Sequence, residues 1–152
     1  MQEEQEDKAT NVHSSITPES APLVLVVEDD PEVGRFVSQT LAEEYRVETA
    51  SNGREGLQKA LAMRPDLILG DVMMPETRGD LLVREARAHV ELDDVPVVLL
   101  TAGADDELRA KLLREGAQDY LLKPFSVEGL RARVGKLITY LVLARGRRVG
   151  FQ

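Results

Sequence analysis

Polar side chains able to do chemistry stand directly behind apolar runs in this chain, at places where strands would end. Glu28-Asp29-Asp30 follows Leu23–Val27, Asp71 follows Leu67-Ile68-Leu69 after one glycine, Thr101 follows Val97–Leu100 and Lys123 follows Tyr120–Leu122. If these runs are parallel strands joined by right-handed crossovers, their C-terminal ends share one rim and the polar residues converge there. Two carboxylates about 4 Å apart repel by roughly 1 kcal/mol in water and roughly 4 kcal/mol at an effective dielectric of 20. A third makes the crowding worse. Only a proton, the Lys123 ammonium or a metal cation can compensate such a cluster, and hard oxygen ligands with room for waters suit Mg²⁺. Each residue has a plainer reading alone: Asp30, with Pro31 behind it, reads as a helix N-cap, a lone Asp as turn chemistry, a lone Thr as a strand-end hydrogen-bonder and a lone Lys as a solvated charge. Joint placement at four strand ends points to a site.

Short β-branched apolar runs alternate with stretches of helical period from Leu23 onward, the pattern of βα units around a parallel sheet. Four runs are nearly continuous, as strands covered on both faces are. Tyr45–Ala50 instead alternates apolar with polar, and is expected to be the edge strand. The order 2-1-3-4-5 would open a ligand crevice between strands one and three, flanked by the carboxylates. Val33, Phe36, Val37 and Leu41 predict a helix over roughly 31–44. Leu57, Ala60 and Leu61 predict a second, between the Ser51-Asn52-Gly53 turn and Arg64-Pro65. Leu81, Leu82, Glu85 and Ala86 mark a third after Gly79. Leu108, Leu112 and Leu113 mark a fourth, with Gly116 placed as a left-handed C′ residue. A fifth is capped by Ser126, its stripe running Val127, Leu130, Val134, Leu137 and Ile138.

The 152 residues, 43% of them hydrophobic, suffice for one ordinary domain with a core. Residues 1–20 are too polar to bury enough surface to offset ordering and read as a disordered acidic tail. Residues 21–140 form the domain, and 141–152 read either as a C-terminal tail or as the start of a linker helix. Without cysteine there is no disulfide, thiolate-zinc or thiol chemistry, and two histidines make a multi-histidine metal site improbable. A net charge of −8 disfavours direct nucleic-acid binding. The apolar stretch Leu137–Ala144 falls far short of the ~20 residues a bilayer demands, and the acidic start lacks the apolar core of a signal peptide. The expected location is cytoplasmic, without membrane insertion.

The segments VLVVEDDPEV, PDLILGDVMMPETRGD, VPVVLLTAGA and GAQDYLLKPF occur in the order in which the receiver domains of two-component response regulators carry them. The chain resembles that family from about Leu23 to Lys136. The resemblance implies a flavodoxin-like (βα)5 doubly wound sandwich and a signalling phosphoacceptor, which promotes its own phosphorylation and slow dephosphorylation without being a turnover enzyme. Asp71 matches the aspartate that accepts a phosphoryl group from a phosphohistidine. Glu28 and Asp29 match the acidic pair that holds Mg²⁺ together with Asp71 and a backbone carbonyl, here that of Met73. Lys123 would pair with a phosphoryl oxygen, and Pro124 stands where the family has a cis peptide. Thr101 matches the switch hydroxyl and Tyr120 its aromatic partner, although a plain core role suits Tyr120 too. Phosphorylation would change the face formed by the fourth helix, fifth strand and fifth helix, which is also open to pairing with a second copy. The implied partners are a histidine kinase or phosphotransfer domain upstream and a protein or adjoining domain downstream.

Two departures stand out: Glu28 replaces the commoner aspartate, and Gly70 stands where a bulky apolar residue is usual, which would loosen that strand end. Other readings fit these residues less well. A dehalogenase-like phosphatase needs a second aspartate where this chain has Met73. A flavodoxin needs a phosphate loop where Glu28-Asp29-Asp30 would repel phosphate, and a non-phosphorylated scaffold would lack Asp71 or Lys123. The stretch LLREGAQDYLLKPFSVEGLRARV is similar to hybrid-kinase receivers, leaving open a stand-alone regulator or part of a longer kinase.

Overall fold

The computed structural model describes residues 20–71, 79–101, 106–122 and 126–150, with only the backbone described for 79–81, 101, 106, 108, 109, 112 and 141–150. The elements run β1 (Leu23–Val27), α1 (Pro31–Leu41), β2 (Arg46–Ala50), α2 (Gly53–Met63), β3 (Leu67–Asp71), α3 (Gly79–Arg87), a 3-10 turn (Val90–Leu92), β4 (Val97–Thr101), α4 (Asp106–Arg114), β5 (Asp119–Leu122) and α5 (Val127–Gly150). All five strands are parallel, in the order β2-β1-β3-β4-β5. This is the flavodoxin-like sheet that the sequence pattern predicts.

Strand alternation divides the core in two. Val24, Val26, Leu67, Leu69, Val98 and Leu100 face one side, where Val37 and Leu41 of α1 and Leu130, Val134 and Ile138 of α5 cover them. Leu25, Val27, Ile68, Val97 and Leu99 face the other, against Ala60 of α2 and Leu82, Val83 and Ala86 of α3. Each fully buried Val or Leu contributes about 1.5–3 kcal/mol relative to exposure, so the sheet's continuous apolar runs hold both layers. At the edge, β2 keeps mostly exposed residues, with Ala50 buried at its end.

The helix ends follow local chemistry. Asp30 Oδ1 accepts from the N–H of Glu32 (2.9 Å) and Val33 (3.4 Å), capping α1 as expected. At α2, Asn52 Oδ1 accepts from Glu55 N (2.9 Å), while Glu55 Oε1 accepts from the N–H (2.7 Å) and hydroxyl (2.9 Å) of Ser51. Arg64 closes α2 in the left-handed region at φ 51°, and Gly116 sits at φ 114° beyond α4. Ser126 Oγ accepts from Gly129 N at 2.9 Å, capping α5.

Several expectations are corrected. α1 stops at Leu41, three residues before 44, because the N–H groups of Glu44 and Tyr45 both turn back to the Leu41 carbonyl before the chain enters β2. Phe36, Leu113 and Val127, read as core positions, are 37%, 44% and 39% exposed, and Glu85 is exposed as well. Val83 is buried instead. The 3-10 turn burying Leu92 was not anticipated. α5 continues as helical backbone to Gly150, its 24 residues spanning about 36 Å.

Candidate functional site

β1 and β3 are neighbours, with Val27 opposite Gly70. That register carries the residues behind them, Glu28 and Asp71, to the same rim. Glu28 and Asp71 are both only 6% exposed, while Asp29 is more open to solvent. One carboxylate oxygen from each of Glu28, Asp29 and Asp71 lies within 4.8 Å of the others. Three carboxylates at this spacing, two of them buried, form the charge-crowded cluster expected from the sequence. All three donors are hard oxygens, the donor type that Mg²⁺ takes.

The main chain orders part of this cluster. Glu28 N donates to the Ala50 carbonyl at 2.9 Å, extending the β1–β2 ladder past the strand end. Glu28 Oε2 accepts from Asp30 N at 3.2 Å, so the turn that caps α1 also orients the carboxylate. Gly34 of α1 lies against it, where a Cβ would stand 3.7 Å from Glu28 Cγ. Asp30 is therefore a helix cap whose amide serves the site. This contact depends on the pitch of the turn, which residue type does not reveal. A cleft of about 460 Å³ opens beside Glu28 and Asp29 between α1 and α2, with Arg35, Ser38 and Lys59 also on its walls. Lys59 Nζ donates to the Thr49 carbonyl (2.6 Å) and lies 3.6 Å from Glu55.

Among the remaining predicted site residues, Thr101 ends β4 opposite Leu122, with its side chain outside the described residues. Met73, Lys123 and Pro124 lie wholly outside them. Tyr120 pairs with Leu99 across β4–β5 and packs half-buried against the core layer that contains Leu99 and Leu82. Its position suits either reading, switch aromatic or core aromatic. A groove of about 670 Å³ runs between β5 and α5, lined by Tyr120, Leu122, Ser126, Arg133 and Lys136 among others.

Residues 24–135 match the family model of the response regulator receiver domain. The chain belongs to that family. It is 48% identical over 129 residues to hybrid signal transduction histidine kinase D of Dictyostelium discoideum, a match covering 85% of this chain and 8% of that protein. It is 45% identical over 118 residues to the sensor histidine kinase TmoS of Ectopseudomonas mendocina, covering 78% of this chain and 12% of the relative. This receiver domain thus spans a small fraction of the length of the kinases it matches. Among solved structures, the Vibrio cholerae chemotaxis protein CheY4 superimposes with a TM-score of 0.74 at 35% identity, covering 77% of this chain and 98% of that one. Receiver domains are the signalling phosphoacceptors of two-component systems, and among the described residues no helix is long and apolar enough to cross a membrane.

Proposed function

We propose that Asp71 accepts a phosphoryl group from the phosphohistidine of a partner kinase or phosphotransfer domain, with Mg²⁺ held by Glu28, Asp29, Asp71 and the Met73 carbonyl. The observation that carries this reading is the meeting of three carboxylates within 4.8 Å at the crevice between β1 and β3. An Asp71 carboxylate oxygen attacks phosphorus in line, the N–P bond breaks, and histidine leaves as an acyl phosphate forms. The cation, when bound, offsets charge on the phosphoryl oxygens. Lys123, which follows β5 in sequence, contributes a further positive charge, and Pro124 aims it.

The acyl phosphate brings about −1.5 to −2 charges to a rim already crowded with carboxylate. Thr101 at the end of β4 turns to donate to it, and Tyr120, beside Leu99, follows into the space vacated. The face formed by α4, β5 and α5 is then the readout, toward a downstream protein, an adjoining domain or a second copy. Leu122 and Leu113 on this face are about half exposed. The kinase relatives favour a phosphohistidine donor upstream, and a receiver module working within such a kinase is the matching arrangement.

The test is the intact mass of the protein after acetyl phosphate and Mg²⁺, with and without chelator. One phosphoryl adduct, lost with chelator and absent from Asp71→Asn at unchanged circular dichroism, is expected. Undiminished labelling of Asp71→Asn would move the acceptor elsewhere.

A further inference from the structure

We infer that Gly70 and Leu82 form a volume-matched pair that positions the Asp71 carboxylate for its cation. This inference rests on the metal reading above and names how the fold sets that site's geometry.

Gly70 is buried in the middle of the sheet, in register between Val27 of β1 and Leu99 of β4. It lies one residue before Asp71, as Val27 lies one residue before Glu28. Strand alternation places any side chain at position 70 on the face of Val27 and Leu99, toward α2 and α3. A Cβ built there would stand 2.9 Å from Leu82 Cδ2, closer than real contacts allow. Leu82 is 1% exposed, so the tip of its side chain occupies volume that β3 leaves empty and cannot retreat into solvent.

The same layer repeats the arrangement one strand over. A Cβ at Gly56 of α2 would meet Val27 Cγ2 at 2.8 Å, so α2 sits down on β1 through its own glycine. The stratum directly beneath the carboxylates is thus built by two helices seated in glycine gaps, α2 over Val27 and α3, through Leu82, over Gly70. Gly70 does not loosen the strand end, as its sequence context alone suggests, because Leu82 fills the gap. A side chain at position 70 must expel the Leu82 tip or shift the end of β3, and either moves Asp71 relative to Glu28 and Asp29. Close packing makes such shifts felt, and altered support behind metal ligands costs about 10–100-fold in affinity.

The experiment is calorimetric Mg²⁺ titration of the full chain, wild type against Gly70→Val, Leu82→Ala and the double variant, each checked for a cooperative thermal transition. Gly70→Val is expected to weaken Mg²⁺ binding about ten-fold or more. The double variant, which restores the summed volume, should return to within about three-fold of wild type, a recovery that general destabilisation would not produce. If Gly70→Val does not fold, Gly70→Ala takes its place in the single variant and Gly70→Ala with Leu82→Val, which conserves the summed volume, in the double. Wild-type affinity in the single variant, or no recovery in the double, overturns the pairing. A wild-type chain whose Mg²⁺ binding is absent, or is unaffected by Asp29→Asn, overturns the metal reading and this inference with it.

Discussion

At the scale of single residues, the rim concentrates charge that only a partner can compensate, and the groups proposed there divide the work unequally. In the proposed reaction Asp71 supplies the bond-forming oxygen, so its replacement is expected to end labelling. In the same proposal Lys123 supplies only charge and a hydrogen bond to the product. Lys123→Ala is accordingly expected to take up phosphate from acetyl phosphate but to couple it poorly to the α4–β5–α5 face. The check is partner or self-association affinity before and after phosphorylation. A change in affinity as large as in wild type would count against the role given to Lys123. Glu28, with one methylene more than the usual aspartate, reaches its place because Asp30 N holds its Oε2.

Arg87 decides the most at the scale of elements, and it does so at the opposite rim. At the end of α3, its guanidinium donates to the carbonyls of Leu92 (2.8 Å), Asp93 (3.3 Å), Val95 (2.6 Å) and Gly116 (3.2 Å). One side chain thus ties α3, the 3-10 turn, the approach to β4 and the approach to β5. Burial pushes its pKa down, while Asp93 and Asp94 oppose the fall. Arg87→Ala leaves these carbonyls without that donor and is expected to cost about 2–4 kcal/mol in urea unfolding. Arg87→Lys should recover little, because an ammonium lacks the planar fork. A loss below about 1 kcal/mol in Arg87→Ala, the size of an ordinary surface contact, would contradict this account.

The α2 cap offers an element-scale test by pH. The Glu55 carboxyl is held below its ordinary value near 4.5, first by the Ser51 N–H, then by the Ser51 hydroxyl and Lys59. Its folded-state pKa is depressed, so its contribution is complete above the unfolded value and is lost as pH falls through the folded one. Between pH 6 and pH 3, Glu55→Gln should therefore show a smaller loss of thermal stability than wild type, the two converging at the acid end. Parallel curves would show that the cap contributes nothing that titrates.

For the molecule as a whole, a cation that binds only the folded rim must also stabilise the fold. At a Mg²⁺ concentration about one hundred times its dissociation constant the gain is about 2.7 kcal/mol. Wild type is expected to melt higher in Mg²⁺ than in chelator, and Asp29→Asn to melt alike in both. An equal shift in the two proteins would trace the effect to ionic strength. The long α5 gives the domain a helical backbone extension beyond Ile138, the last buried residue among those whose side chains are described.

Much of this was legible before any coordinates. β1, β3 and β4 are nearly continuous apolar runs because both faces of the inner sheet are covered, whereas β5, whose run reads the same way, is the second edge strand and leaves Leu122 49% exposed. The exposed alternation of β2 marked the edge, and polar residues after strands had to meet because parallel strands end on one rim. Tertiary structure alone decided which positions on each helix reach the core. The stripe of helical period includes Phe36, Leu113 and Val127, yet all three are partly exposed, because period alone does not say which apolar positions of a helix a neighbour covers. It also decided that Gly70 is filled from α3 and that Arg87 closes the far rim, contacts that residue type and period do not reveal. The approach of Glu28 to Asp71 has the same origin. Residue order supplies the carboxylates, and the register of β1 on β3 sets the distance between them.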